Sequence, residues 1–239
     1  MRFRITISYD GTNFSGWQVQ KRERTVQGEI ERALAEIFKA GVKITGAGRT
    51  DAKAHALGQV AHFDIDRRMA PDDLKNALNA HLTREIRIIE VAPVDPKFHA
   101  RFSARAKIYR YQISFEDSPF RRNYYWYIRY HLDKKRMEQA RSCLMGRHDF
   151  TNLAGDLEGR SPVCELRRID LTDIEAGIII EIEGDRFLPQ MVRRIVGLLV
   201  DVGRGRYDFS QVEMILSNQA DFSYQIAPAC GLYLVRVIY

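Results

Sequence analysis

The sequence predicts an α+β fold, because helical and strand-like patterns both occur and the strands are expected to pair mainly antiparallel. Residues 3–9 are apolar at every second position, as in a half-buried strand. Residues 26–38 instead repeat apolar side chains at helical spacing. Two further strand-like runs, 163–174 and 178–183, are joined by Glu175-Ala176-Gly177, which is typical of a hairpin.

The first hundred residues are predicted to run strand, helix, strand, helix, strand. Thr25 is a suitable N-cap for the first helix, and Gly41 is expected to stop it. Pro71 opens a second helix, because a proline lacks the N–H that is unsatisfied in a first turn anyway. The two further strands are expected at 60–65 and 86–91.

The remaining residues are predicted to form a second α+β half. Residues 108–115 alternate in the same way as residues 3–10 and place Tyr109 on the apolar face. Asp133 is expected to cap a helix that Gly146 closes. The other elements predicted here are the strand 124–130, the hairpin, the helices 187–202 and 209–216, and the closing strand 232–239.

The chain is long enough for one large domain or two smaller ones, since it has 239 residues. The crossing between two halves is placed after Pro93 and Pro96, where a basic and aromatic stretch begins. The expected domains are therefore 1–104 and 105–239. The likeness between the opening strands of the two halves fits an internal duplication, and it also fits coincidence.

Composition restricts the class of protein. Hydrophobic residues make up 45% of the chain and charged residues 28%, which is an ordinary globular balance. The longest apolar runs are far shorter than the roughly 20 residues that a membrane span requires. The alternating N-terminus does not resemble a signal peptide, so a cytosolic protein is expected. The three cysteines form no CxxC pair, and they support neither a disulfide framework nor a zinc site.

The positive charge favours a polyanionic partner. The net charge is +6, and 28 of the 37 basic residues are arginine. Guanidinium groups bind phosphate oxygens two at a time and stack on bases, which ammonium groups do not. A genome-wide preference for arginine or a heat-adapted surface would give the same composition.

The densest polar cluster lies between Gly46 and Val60. Within it, Arg49 is two residues from Asp51, and an adjacent positive charge favours the ionised carboxylate. An ionised Asp51 can act as a general base or as a covalent nucleophile. A tight turn with a surface salt bridge between Arg49 and Asp51 explains the same residues, so the pattern alone leaves both interpretations open. His55 and the later His62 lack the spacing of a metal pair, and no metal site is expected.

Several blocks nevertheless make the sequence recognisable. The run Gly48-Arg49-Thr50-Asp51-Ala52, followed by His55-Ala56 and Gly58-Gln59-Val60, resembles the active-site motif of the tRNA pseudouridine synthase A family. Further blocks that resemble this family follow in the family's order over nearly the whole chain. They are Ser8-Tyr9-Asp10-Gly11-Thr12, Gly16-Trp17-Gln18, Thr25-Val26-Gln27, Phe98-His99-Ala100-Arg101-Phe102-Ser103-Ala104, Tyr109-Arg110-Tyr111, His148-Asp149-Phe150, Phe187-Leu188 with Met191-Val192-Arg193, Ala227-Pro228-Ala229 and Gly231-Leu232.

The resemblance implies a fold, an activity and a partner. The expected fold has two similar α+β halves that share a continuous, mainly antiparallel sheet flanked by helices, with a basic active-site cleft between them. The expected protein is a homodimer that needs no cofactor and no metal. It isomerises uridine to pseudouridine at positions 38, 39 and 40 of the tRNA anticodon stem-loop. The reaction breaks a glycosidic bond and rejoins the uracil through carbon without a redox change.

The resemblance also assigns roles to individual residues. Asp51 takes the place of the catalytic aspartate, either attacking C1′ or helping to remove a ribose proton, between which the sequence does not choose. Tyr109 matches the tyrosine that stacks on the target base. Arg193 matches the arginine that pairs with the aspartate and holds the flipped nucleotide. Leu232 matches an apolar residue beneath the pocket, and Arg49, in the same motif as Asp51, is expected to bind the substrate. By pattern alone, Tyr109 and Leu232 suit a core and both arginines suit a solvated surface.

Two departures from the family pattern affect the expected function. Lys53-Ala54 replaces the usual Gly-Val, and a lysine there would be strained if the position requires a positive φ. Pro189-Gln190 replaces the residues before the Met-Val-Arg block, and the proline is expected to fit only in the first turn of the helix. These departures favour the main alternative, a catalytically impaired tRNA-binding or folding factor of the same fold. A metal-dependent nuclease is disfavoured because the sequence lacks a carboxylate cluster.

Overall fold

The computed structural model of the protein describes residues 1–66, 69–157, 159–217, 219 and 223–239. The chain divides into two compact units, residues 1–105 with 233–239 and residues 106–232. Each unit combines strands with helices, and the strand pairing is mainly antiparallel, so the predicted α+β class is confirmed. The assignment of 1–104 to a catalytic half and of 105–239 to a half that completes a cleft stays a prediction.

The strands and helices of the described residues follow in chain order. They are β1 (Arg2–Tyr9), α1 (Val26–Phe38), β2 (Thr45–Gly46), β3 (His55–Asp64), α2 (Pro71–His81), β4 (Ile86–Val94), β5 (Ala106–Ser114), β6 (Trp126–Tyr127), α3 (Lys134–Leu144), β7 (Gly146–Asp149), β8 (Val163–Ile174), β9 (Gly177–Gly184), α4 (Met191–Gly203), α5 (Phe209–Leu216) and β10 (Leu232–Ile238). Two single-turn 3₁₀ helices cover Thr151–Leu153 and Ala229–Gly231.

The first unit is built around β1. This strand pairs antiparallel with both β3 and β4, and β10 pairs in parallel with β3, placing Tyr233 opposite His55. The alternating residues Phe3, Ile5 and Ile7 of β1 are fully buried. The period-2 pattern of the sequence therefore forms one face of the core, as the alternation predicted.

The second unit is built around the hairpin of β8 and β9. Strand β5 pairs antiparallel with the other edge of β9, and β7 pairs with β8. Tyr111 and Ile113 of β5 and Ile180 and Ile182 of β9 are fully buried, so the two strands supply one apolar face. The predicted hairpin is confirmed, because β8 ends at Ile174 and β9 begins at Gly177.

The start of α1 agrees with its prediction, and the end of α1 does not. The side chain of Thr25 accepts a hydrogen bond from the Gly28 amide, and α1 begins as predicted. The prediction that Gly41 stops this helix is wrong. The helix already ends at Phe38, and the left-handed residue that follows it is Lys39, with φ 54°.

The start of α4 also differs from its prediction. The helix was expected from residue 187, but it begins at Met191, and its N-cap Gln190 is left-handed with φ 58°. Pro189 therefore lies before the helix, and the expectation that it must occupy the first turn is wrong. Residues 187 and 188 are apolar and fit the helical spacing, although their backbone is not helical.

The largest differences from the predicted strands occur at β3, β6 and β7. β3 begins at His55, well before residue 60, so the second part of the polar cluster lies on a strand. β6 covers only Trp126–Tyr127 of the predicted strand 124–130. β7 was not predicted. Gly146, with φ 95°, was expected only to close α3, and it turns the chain directly into this strand.

Two expectations from composition concern membrane-spanning segments and the cysteines. Within the described residues, the helices are too short or too polar for any of them to cross a lipid bilayer. The three cysteines are free thiols, of which Cys164 is buried and Cys143 and Cys230 are half-buried.

Candidate active site

Residues 47–54, the Asp51 loop, are held by the backbone of an earlier segment. The Trp17 amide donates to the carbonyl of Thr50 at 3.1 Å, and the Lys53 amide donates to the carbonyl of Phe14 at 3.2 Å. Gly16 lies in the same contact with φ 90°, and a Cβ added there would be 2.8 Å from the Thr50 oxygen. Two blocks that are far apart in sequence thus fix each other, and only glycine permits the approach.

Gly11 and His55 provide a second attachment. The Gly11 amide donates to Nδ1 of His55 at 3.0 Å. The His55 ring is buried and stacks on Tyr233 with a centroid separation of 4.6 Å. A Cβ added to Gly11 would lie 1.9 Å from the carbonyl oxygen of Ala54, where no second atom fits. His55 therefore serves as a hydrogen-bonding residue that joins the end of the loop to the segment after β1.

Thr50 is fixed by its side chain as well. Its hydroxyl lies 2.7 Å from the phenolic oxygen of Tyr9, and both residues are buried. Burial raises the pKa of Tyr9 well above its ordinary value, so the phenol stays neutral. Asp51 follows this anchored residue directly and is half-buried, whereas the next two residues of the loop are exposed.

Arg49 and Lys53 are the cationic residues of the loop. Arg49 is exposed, and its Nε donates to the side-chain oxygen of Gln18 at 3.2 Å. Lys53 is exposed and has φ 67°, so the strain expected at this position is present. Both cations therefore lie at the surface of the loop, on either side of Asp51 in sequence.

Tyr109 lies on β5 in the second unit. It is only 7% exposed, and its ring meets that of Phe187 edge-on at a centroid separation of 4.9 Å. Phe187 belongs to the irregular segment before α4. The helical pattern over 187–202 places Phe187 in the helix and therefore does not predict this neighbour of Tyr109. The family block that contains Phe187 was the signal that could have identified it.

Arg193 lies on the first turn of α4 and is half-buried. Its Nε donates to the carbonyl of Ala227 at 2.7 Å, and the Ala227 amide donates back to the Arg193 carbonyl at 3.1 Å. A Cβ added to Gly197, one turn further along, would lie 1.7 Å from the Gln225 carbonyl oxygen. The helix and the segment before β10 are thus in direct backbone contact, which no periodicity predicts. Leu232, at the start of β10, is 6% exposed.

Each unit therefore brings together sequence blocks that are distant along the chain. In the first unit, Asp51 and Arg49 share a loop with the N-terminal blocks at its base. In the second unit, Tyr109, Arg193 and Leu232 lie on three different regular elements. In the part of the chain that the structure describes, no group of three or more His, Cys, Asp or Glu side chains could hold a metal ion.

Comparison with known proteins first gives the class. Residues 5–103 and 140–239 match the family model that is described as tRNA pseudouridine synthase. The two matched segments contain the Asp51 loop, Arg193 and Leu232. An α+β chain with a carboxylate on a glycine-spaced loop and a predominance of arginine agrees with this class of RNA-modifying enzyme.

Similar proteins from three organisms assign the chain to one family within this class. The chain is 43% identical to the tRNA pseudouridine synthase A of Thermosipho melanesiensis, over all of its own length and 99% of that protein. It is also 43% identical to the Thermosipho africanus protein of the same name, and 41% identical to that of a Geobacillus species, again over its full length. The chain belongs to the tRNA pseudouridine synthase A family.

Proposed function

We propose that the protein isomerises uridine to pseudouridine at positions 38, 39 and 40 of the tRNA anticodon stem-loop, with Asp51 as its nucleophile. Membership of the family supports the reaction and the class of substrate. One observation carries the role of Asp51: the loop that contains it is fixed by backbone contacts on both sides of the carboxylate, through Thr50 and Lys53. A fixed carboxylate reacts without first losing the entropy of a mobile loop.

The reaction needs a carboxylate and no electron carrier. The N1–C1′ bond of uridine breaks, the uracil rotates, and a C5–C1′ bond forms. The proton on C5 is released to water, and N1 gains a proton, so the product is an isomer of the substrate. Asp51 either attacks C1′ to give a covalent intermediate or removes a ribose proton to give a glycal. In both routes the carboxylate must be ionised and held against the sugar.

The other site residues are proposed to hold the extruded nucleotide. A uridine in a stem must leave the base stack before reaction, which costs a few kcal/mol. Tyr109 offsets part of this cost by stacking on the uracil. Arg193 contacts the nucleotide backbone, Leu232 lies beneath the extruded base, and Arg49 contacts a phosphate.

The assembly and cellular location belong to the same proposal. We infer a homodimer, which light scattering after gel filtration at micromolar concentration would detect as twice the chain mass. The cytoplasm is the inferred location, because it contains the proposed tRNA substrate.

The test of the proposed function is an Asp51→Ala variant and an Asp51→Asn variant. The wild-type protein is expected to release tritium from tRNA labelled at C5 of uridine, because forming the C5–C1′ bond expels that hydrogen. Both variants should lose this release, by about 10⁴-fold or more, as expected when a nucleophile is removed. Their circular dichroism and their affinity for tRNA should stay close to those of the wild type.

The matched control is Asp73→Asn, which neutralises an exposed carboxylate in the first turn of α2. This variant should retain wild-type turnover. Normal turnover by Asp51→Ala would refute the role of Asp51. Tight tRNA binding by the wild type without any tritium release would instead support a catalytically impaired tRNA-binding factor. Mapping pseudouridine in unmodified transcripts would show which of positions 38, 39 and 40 are modified.

A further inference from the structure

Three rings lead from the core of the first unit to its surface. His62 on β3 is 6% exposed, and its ring centroid lies 4.8 Å from that of His99. The His99 ring in turn lies 4.3 Å from that of Phe102, at an interplanar angle of 30°. Phe102 is 77% exposed. These three residues, the aromatic column, end in a phenyl ring that is supported from within and exposed to solvent.

The turn that carries Phe102 is fixed by hydrogen bonds to His99. Nδ1 of His99 accepts from the amides of Arg101 and Phe102, at 3.1 and 3.2 Å. The His99 amide donates to the Ser103 hydroxyl at 3.0 Å, and the Ser103 amide donates to the His99 carbonyl at 2.9 Å. The exposed ring therefore has a defined orientation, which costs little entropy to maintain on binding.

The same turn is attached to the core through Ala100. Its amide donates to Nδ1 of His62 at 3.1 Å, and its carbonyl accepts from the hydroxyl of Tyr239 at 2.8 Å. Burial, followed by the nearby charge of Arg2, lowers the pKa of His62 below its ordinary value. A neutral His62 keeps the acceptor that this attachment requires.

One cation lies against the exposed ring, and two more are close to it in the sequence. The Arg101 guanidinium carbon lies 5.7 Å from the centroid of the Phe102 ring. Lys97 and Arg105, on either side in the sequence, are also exposed. A single flat ring among positive charges suits a partner that has flat groups and negative charges in alternation, as a single-stranded nucleic acid does. A protein partner would more often meet a broad apolar patch.

We propose that the aromatic column is a stacking platform on which Phe102 binds a second unpaired nucleobase of the RNA substrate, besides the target uridine. The proposal rests on the proposed function, because that function supplies an RNA substrate with unpaired bases in a loop. Arg101 contacts the adjoining phosphate. The platform holds the RNA before and during the reaction equally, so it contributes to binding and leaves the chemical step unchanged.

The test compares Phe102→Leu with Phe102→Trp, because the first keeps apolar bulk without a ring and the second keeps a stacking ring. Leucine should weaken the affinity for the anticodon stem-loop by about tenfold, as the loss of one base-stacking contact predicts. KM should rise by the same factor while kcat stays within about twofold. Tryptophan should retain wild-type values. Ile89→Ala, which truncates another exposed apolar residue of this unit, is the matched control.

Two further measurements separate stacking from charge. Phe102→Leu should leave the slope of log Kd against log salt unchanged, because stacking releases no counterions. Arg101→Gln should reduce that slope by about one unit. In stem-loops with 2-aminopurine at single loop positions, the wild type should quench the fluorescence at one position, and Phe102→Leu should not.

Three outcomes would overturn the platform. Wild-type affinity and KM for Phe102→Leu would show that the ring does not contact the RNA. A fall in kcat alone would place it in the chemical step. A change in oligomeric state with unchanged RNA affinity would show that the ring lies in an interface between protein chains. Failure of the proposed function would appear separately, as the absence of tritium release by the wild type.

Discussion

The Asp51 loop and the start of α4 hold their functional groups in different ways. The Asp51 loop is irregular, and its shape depends on contacts between backbone atoms and on glycines at 11 and 16. Arg193 instead lies on a regular helix, and its guanidinium is fixed by its own hydrogen bond to Ala227. The first region positions a short side chain by fixing the main chain, and the second positions a long side chain through its polar head.

This difference determines which substitutions each region tolerates. A loop that is fixed through its backbone is sensitive at glycines that have no chemistry of their own, since an added Cβ displaces the main chain. A helix does not depend on any one polar side chain for its stability. Replacing the arginine should therefore affect function, through the identity of the head group, more than stability. Variants of the two regions should accordingly differ in whether stability or activity is lost first.

Among the tests of this contrast, Gly11→Ala has the largest expected effect, and this effect is on stability. The added Cβ would lie 1.9 Å from the Ala54 carbonyl oxygen, and both groups belong to backbones that hydrogen bonds hold in place. Overpacking of this kind typically costs about 3 kcal/mol, so urea denaturation followed by circular dichroism should show a clearly lower midpoint. Activity should fall together with the folded fraction.

Gly41→Ala is the control for this substitution. A Cβ added at Gly41 would meet no described atom within 4 Å, and its effect should stay within about 0.5 kcal/mol. Equal midpoints for Gly11→Ala and Gly41→Ala would show that the loop adjusts its backbone readily. The proposed contrast between the two regions would then be lost.

The second effect is on activity, from Arg193→Lys. The Nε of Arg193 is engaged by the Ala227 carbonyl, and a lysine concentrates its donors on one nitrogen, which does not reproduce the spacing of the planar guanidinium fork. Turnover of tRNA should fall by about 100-fold, as is typical when one preorganised charged donor is lost, while the urea midpoint stays near the wild-type value.

Arg194→Lys provides the comparison on the same helix. Arg194 is half-buried and its side chain reaches Gln190 and Tyr224, which places it at the same helix start without an assigned role in the reaction. Its replacement should alter turnover by no more than about threefold. A large fall for both variants would indicate that charge, and not the particular head group of Arg193, matters at this end of α4.

The helices and strands of the fold could be predicted well from the sequence. The backbone contacts that hold the candidate site in place could not. Period-2 and helical patterns located β1, α1, α2, α5 and the hairpin of β8 and β9, because each of these elements buries a face of its own residues. The close approach of Gly11 to Ala54, and that of Gly197 to Gln225, involve backbones that meet only in three dimensions. No local pattern contains such a contact.

The candidate site was predicted through ordered blocks and not through spacing. Asp51 and Arg49 alone were compatible with a surface salt bridge, and Tyr109 with core packing. Phe187 was missed because an apolar run before a helix continues the helical period even where the backbone does not. The roles of Asp51, Tyr109, Arg193, Arg49 and Leu232 stay predictions until the variants are measured.

The smallest expected effect concerns the strain within the Asp51 loop, tested by Lys53→Gly. A non-glycine residue with φ 67° is strained by about 1 kcal/mol, and glycine removes this strain. Glycine also gives the unfolded chain more freedom, which offsets roughly half of the gain. The free energy of unfolding should therefore rise by about 0.5 kcal/mol. The affinity for tRNA should fall a few-fold, because an exposed cation two residues from Asp51 is lost.

Lys39→Gly separates these two consequences. Lys39 is also an exposed lysine with a positive φ of 54°, but it caps the end of α1. Both substitutions should raise the urea midpoint slightly, and only Lys53→Gly should weaken tRNA binding and reduce its dependence on salt. If both variants bound tRNA as the wild type does, Lys53 would be a strained residue without a phosphate contact. The backbone of the Asp51 loop, and not its charge, would then be the property that this region contributes to the site.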